Sequence, residues 1–171
     1  MSDHYDDLLA GGTTLLQRLS PPMAGQGDHC PEAADVVHDF LNNGSVTPVP
    51  TSGSTEFLMR NRVLRGFRRV TLPQLRRMVP RHGTHVVVRG VRSHPPSGLT
   101  PHHYFVLANI RGQFYVIDAY MHQLRVDVAG YIAEGPPGER FDYLEVIRRG
   151  YDVETHDPLA ESSDPLAGVL P

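Results

Sequence analysis

A chain of 171 residues is long enough for one core of ordinary size and too short for two comfortable domains, so one domain with tails is expected. Apolar residues make up 40% and charged residues 20%, the balance of a folded globular protein, and a formal net charge of -3 is too small to mark a nucleic-acid or membrane surface. The single cysteine, Cys30, excludes an internal disulfide framework and a zinc site of several thiolates, and no run approaches the roughly 18 apolar residues that span a bilayer.

The amino end, MSDHYDDLLAGG, has no cationic start followed by an apolar run, so no signal peptide is expected. Leu8, Leu9, Leu15, Leu16 and Leu19 form a helical stripe interrupted by Gly11 and Gly12, which fits one or two short helices. Residues 1–27 therefore read as a helical extension ending in the loop SPPMAGQGD. CPEAADVVHDFLNNG is the clearest helix in the sequence. Pro31 suits the first helical position, Glu32 complements the positive end of the dipole, Ala33, Ala34, Val36, Val37, Phe40 and Leu41 share a face, and Gly44 can close the end. Cys30 thus opens a helix. A second capped helix is expected at Thr71, which has capping-box spacing to Gln74, with Leu72, Leu75, Met78 and Val79 following at helical intervals.

The period then changes. HVVVRGVR, HYFVLAN, QFYVID, QLRVD and YLEVIR are β-branched and aromatic runs separated by turn residues, and they predict an antiparallel sheet. Helices mostly before strands is the α+β pattern, with the domain proper over residues 28–150. Residues 151–171, with DPLA at Asp157 and again at Asp164, read as a polar tail that is disordered or a docking peptide. Eight of the 16 basic residues, all of them arginine, fall between Arg60 and Arg81, a segment suited to ion pairs or an acidic partner.

A thiol at a helix amino terminus has its thiolate stabilised by unpaired backbone donors and the dipole. Cys30 has that position, and a base is then required. Among ten histidines His103 stands out because it begins a strand whose hairpin partner ends in Asp118. A four-residue turn Asn109–Gly112 would set His103 directly opposite Asp118, whereas a two-residue turn Arg111–Gly112 would make the contact diagonal. In either register the imidazole takes the thiol proton and returns it to the leaving amine while the carboxylate fixes its tautomer.

The order Cys30, His103, Asp118, with the cysteine opening a helix and the others on successive strands, resembles that of papain-like enzymes. More narrowly, HYFVLANIRGQFYVID resembles the papain-fold toxin domains of bacterial polymorphic toxins and the related glutamine-deamidating effector toxins. There a histidine is followed by an aromatic two residues on, Asn six on, Gly nine on and Asp fifteen on, and Phe105, Asn109, Gly112 and Asp118 match each offset from His103. The resemblance covers roughly Asp28 to Arg149. It implies a papain-like α+β fold, with amino-terminal helices and the nucleophile at a helix start packed on a carboxy-terminal antiparallel sheet. It also implies a thioester-forming amidohydrolase without a cofactor, acting on a protein glutamine, with proteolysis or transglutamination as alternatives on the same fold. Expected partners are the protein substrate and a cognate immunity or docking protein; the expected location is cytoplasmic or a target cell reached through a specialised delivery system. The family's Asn before the cysteine and Gln two after the aspartate are replaced here by His29 and Tyr120. Gln26, in the loop before Cys30, is the candidate oxyanion donor.

Three rivals follow from the residues. His29, His82, His85, His94, His102 and His122 could ligate a metal, but no pair has an HExxH-like signature. The arginine-rich stretch could bind nucleic acid, although aromatics are sparse there. A papain-like scaffold without activity could serve for binding alone.

Overall fold

A computed structural model describes residues 3–21, 30–46, 67–98, 101–136 and 138–147. The elements in chain order are α1 (His4–Leu19), α2 (Cys30–Asn43), β1 (Phe67–Val70), α3 (Leu72–Arg77), β2 (Thr84–Val91), β3 (His102–Ile110), β4 (Gln113–Asp118), β5 (Gln123–Arg125), α4 (Val128–Glu134) and β6 (Tyr143–Ile147). Their arrangement is α+β. The strands form one six-stranded sheet in the order β1-β6-β2-β3-β4-β5, with every pair antiparallel.

Local chemistry accounts for the element ends. Asp3 caps α1 by accepting from the Tyr5 and Asp6 N–H groups, and the break expected at the glycine pair falls at Gly12, where φ is 56° and ψ is -148°. Thr71 and Gln74 form the reciprocal capping box at α3. The β3–β4 connection is the two-residue turn: Arg111 and Gly112 have φ of 55° and 83°, and Ile110 pairs with Gln113.

Alternation along the strands splits the core into two layers. On one face Val87, Val106, Ala108, Ile110 and Ile117 pack against α1 and α2; on the other Val86, Val88, Phe105, Leu107 and Val116 pack against α3 and α4. Leu8, Leu15, Leu16 and Leu19 are buried in the first layer, so α1 is built into the core rather than appended to it. Helix α2 is buried well beyond one stripe, since Glu32, Asp35 and His38 are as enclosed as its apolar residues.

The helical layer has a fixed direction. At its start α1 is tied through Asp3 to His82 in the α3–β2 connection and through Asp6 to Arg111 in the β3–β4 turn, and at its end the Ser20 carbonyl accepts from His122 Nε2 at 2.5 Å, beside β5. Helix α2 runs the opposite way. Phe40 lies against His4, and His38 meets His85, the ladder partner of Ala108. Eight helical residues back from His38 rise about 12 Å, and five strand residues from Ala108 to His103 span about 16 Å. The first turn of α2 therefore comes to the end of the sheet that carries His103. Among the described residues no helix is long and apolar enough to cross a membrane.

Candidate active site

His103 and Asp118 meet. Nε2 of the imidazole lies 2.7 Å from Asp118 Oδ2, and the two side chains are 1% and 0% exposed. The contact is diagonal, because β3 and β4 pair Val106 with Ile117, which brings Phe105 rather than His103 opposite the aspartate. Of the two registers open from the sequence, the two-residue turn is the one adopted.

The aspartate is held from two more directions. Tyr131 of α4 donates its hydroxyl to Oδ2 at 2.6 Å, and the Met121 N–H donates to Oδ1 at 2.9 Å. Three donors thus converge on a group that, ionised, only accepts. Around the imidazole stand Phe141, stacked at 6.1 Å with planes 13° apart, and Tyr120, edge-on at 5.9 Å. Phe141 is fixed in turn by Arg92. That buried guanidinium sits 4.7 Å from the Phe141 ring centroid and donates to the carbonyls of Gly135, Pro136 and Glu139, so it pins the segment between α4 and β6. Gln123, the ladder partner of Asp118 on β5, has a buried amide oxygen with no donor among the described residues.

Cys30 opens α2 as the sequence indicates; its side chain lies outside the described part of the structure, as do Gln26 and His29. The helix and the histidine–aspartate pair share one end of the sheet but not one face. His103, Phe105 and Asp118 project toward α4, while α2 packs on Val106, Ala108 and Ile110. Nε2 is committed to Asp118, and Nδ1 has no hydrogen-bond partner among the described residues.

Other histidines have structural partners. His82 accepts from the Arg111 N–H at Nδ1 and bonds Asp3 through Nε2, and with Asp6 these groups lie close enough to surround an ion. Asp6 already has a cation, however, in the Arg111 guanidinium at 2.7 and 2.8 Å. His85 bridges Tyr5 and His38 at 2.5 and 2.6 Å, and Asn42 lies 2.8 Å from His38 Nε2. These clusters join helices to the sheet.

Tyr131, Phe141 and the Met121 N–H escape a reading by motif because the offsets counted from His103 end at Asp118 and all three lie beyond it. A local signal for Tyr131 does exist: Asp127 caps Gly130 N–H and Gly135 closes the helix in the left-handed conformation, so DVAGYIAEG is a capped seven-residue helix. Comparison with family models, with curated proteins and with solved structures finds no match.

Proposed function

We propose that the chain is a papain-like cysteine amidohydrolase in which Cys30 is the nucleophile, His103 its base and Asp118 the group that orients the base. The observation that supports this is the orientation of the pair: Asp118 takes Nε2, leaving Nδ1 at the end of the sheet where α2 begins. In the reaction the thiolate attacks a carboxamide carbon, and the protonated imidazole gives its proton to the departing ammonia as the C–N bond breaks. Water then adds to the thioester, losing a proton to His103, and the carboxylic acid leaves as the thiol is restored. The sequence resemblance favours a protein glutamine as substrate and an effector or toxin role, with an immunity or docking protein as partner and action in the cytoplasm of a producing or target cell.

Intact mass of candidate protein substrates tests the reaction: about +1 Da means deamidation, fragments mean proteolysis, and loss of about 17 Da means crosslinking. Undiminished conversion by Cys30→Ala would end the proposal. A second reading, an inactive scaffold used for binding, is favoured by the enclosure of the pair and by its position on the face away from α2. Failure of iodoacetamide to label Cys30 at neutral pH in the folded chain selects that reading.

A further inference from the structure

We propose that Tyr131 is a positioning residue for the His103–Asp118 pair, setting how strongly the carboxylate holds the imidazole. Its hydroxyl and the imidazole converge on one oxygen, Asp118 Oδ2, at 2.6 and 2.7 Å, while Met121 N–H occupies Oδ1. All three side chains are enclosed, Tyr131 and Asp118 at 0% exposure and His103 at 1%. Away from water, two donors sharing one oxygen compete for its charge. Tyr131 therefore weakens the acceptor that faces Nε2.

Packing explains the ring at this position but not the hydroxyl. Phe105 meets the Tyr131 ring edge-on at 4.9 Å and Phe141 lies 6.4 Å away, contacts that a phenylalanine would make equally well. The helix is also secured without the hydroxyl. Asp127 caps its start, Gly135 closes its end, Arg125 joins β5 to Glu134, and Val128 and Ile132 are buried. What remains for the O–H is the carboxylate.

The catalytic meaning of this rests on the amidohydrolase reading above, and the test separates the two. The full chain is compared with Tyr131→Phe and with Phe105→Leu, which loosens the same ring contact and keeps the hydroxyl. The first readout is the low-field proton resonance of His103 Nε2; the second is the pH profile of Cys30 alkylation by iodoacetamide. In Tyr131→Phe the resonance is expected to move further downfield as Oδ2 becomes the stronger acceptor, whereas in Phe105→Leu it stays in place despite lost stability. An unmoved resonance in folded Tyr131→Phe overturns the proposal. A moved resonance with an unchanged alkylation profile upholds it and removes the link to Cys30, which sinks the amidohydrolase reading instead. Should Tyr131→Phe not fold, 3-fluorotyrosine placed at position 131 alone supplies a stronger phenol donor on the native scaffold. The resonance must then move upfield, and if it does not the proposal fails.

Discussion

Gly90 lies directly across the β2–β3 ladder from His103, and the space its side chain would need is filled by the ring of Phe141. A β-carbon at Gly90 would come within 2.7 Å of three ring atoms of this fully buried residue. The conflict is steric, since Gly90 is not among the glycines with positive φ. Gly90→Ala is expected to cost about 1–3 kcal/mol, the usual range for overpacking a closed core. Phe141→Leu in the same chain should recover part of that loss, and urea midpoints of the two single variants and the double variant measure it. Strictly additive losses would show that the ring is not what the alanine meets.

Removing the aspartate should hurt more than removing the histidine. Asp118→Ala removes the acceptor shared by Tyr131 O–H, His103 N–H and Met121 N–H, while His103→Ala leaves the carboxylate with two donors. Each buried donor left without a partner costs about 1–3 kcal/mol, so Asp118→Ala is expected to be the less stable by about 2 kcal/mol or more. Chemical denaturation of both variants decides it, equal losses counting against the three-donor arrangement.

At the β3–β4 turn two effects oppose each other. Arg111 is held at φ 55°, a conformation that costs a side-chain-bearing residue about 1–2 kcal/mol relative to glycine. Its ion pair with Asp6 is 74% exposed on the arginine side, and such surface pairs are worth about 0–1 kcal/mol. The backbone strain is the greater of the two, and the backbone N–H that reaches His82 survives substitution. Arg111→Gly should therefore stabilise the chain at about 0.15 M salt; a lower thermal midpoint would mean that the ion pair outweighs the strain.

Acid should loosen α1 at its start. Asp3 is held below the ordinary carboxylate value of 3.8 chiefly by its hydrogen bond with His82, and Asp6 by its hydrogen bond with Arg111. A carboxyl lowered in the folded state contributes its stability in full above the unfolded value and loses it as pH falls through the folded one, so loosening is expected as pH falls below the ordinary carboxylate value of 3.8. Amide exchange of residues 5–7 is the direct measure. Asp3→Asn retains a side-chain oxygen for the cap and should flatten the Asp3 share of the pH response.

His38 and His85 face each other with nitrogens 2.6 Å apart, so one must donate and the other accept. Replacing either alone removes this hydrogen bond, at a net cost of about 0.5–1.5 kcal/mol. The pair His38→Leu with His85→Leu should lose less than the sum of the singles. A double-mutant cycle with no coupling would show that the contact contributes nothing to stability.

Much of the scaffold was legible because local chemistry dictates it. The helix from Cys30, the box between Thr71 and Gln74, the break at the glycine pair and the strand runs all follow from caps, turn residues and period. The histidine–aspartate contact was legible too, since either hairpin register allows it. The face of that contact was not. In HYFVLANI residues on both sides of the strand are apolar or enclosed, from Val106 and Ala108 on one side to Phe105 and Leu107 on the other, so alternation carries no sign of which helices each side meets. The neighbours that hold the pair, Tyr131 and Phe141, come from a short helix and a loop that only the tertiary fold brings under β3. The reading of 151–171 and the role of Gln26 fall outside the described residues.

The last described strand, β6, is bonded on both sides, to β1 and to β2. During synthesis β1 emerges more than seventy residues before the strand that attaches it to the sheet, and β2 waits with an open edge. The amino-terminal helices and the β2–β4 meander can assemble on the ribosome, but β1 is recruited only when Tyr143–Ile147 has been released from the exit tunnel, a late and long-range closure of the kind that slows folding. Pulse proteolysis of nascent chains arrested with β4 outside the exit tunnel and Tyr143 still inside it should therefore cut at β1 while sparing β3, and an extension that carries Ile147 clear of the tunnel should abolish that cut.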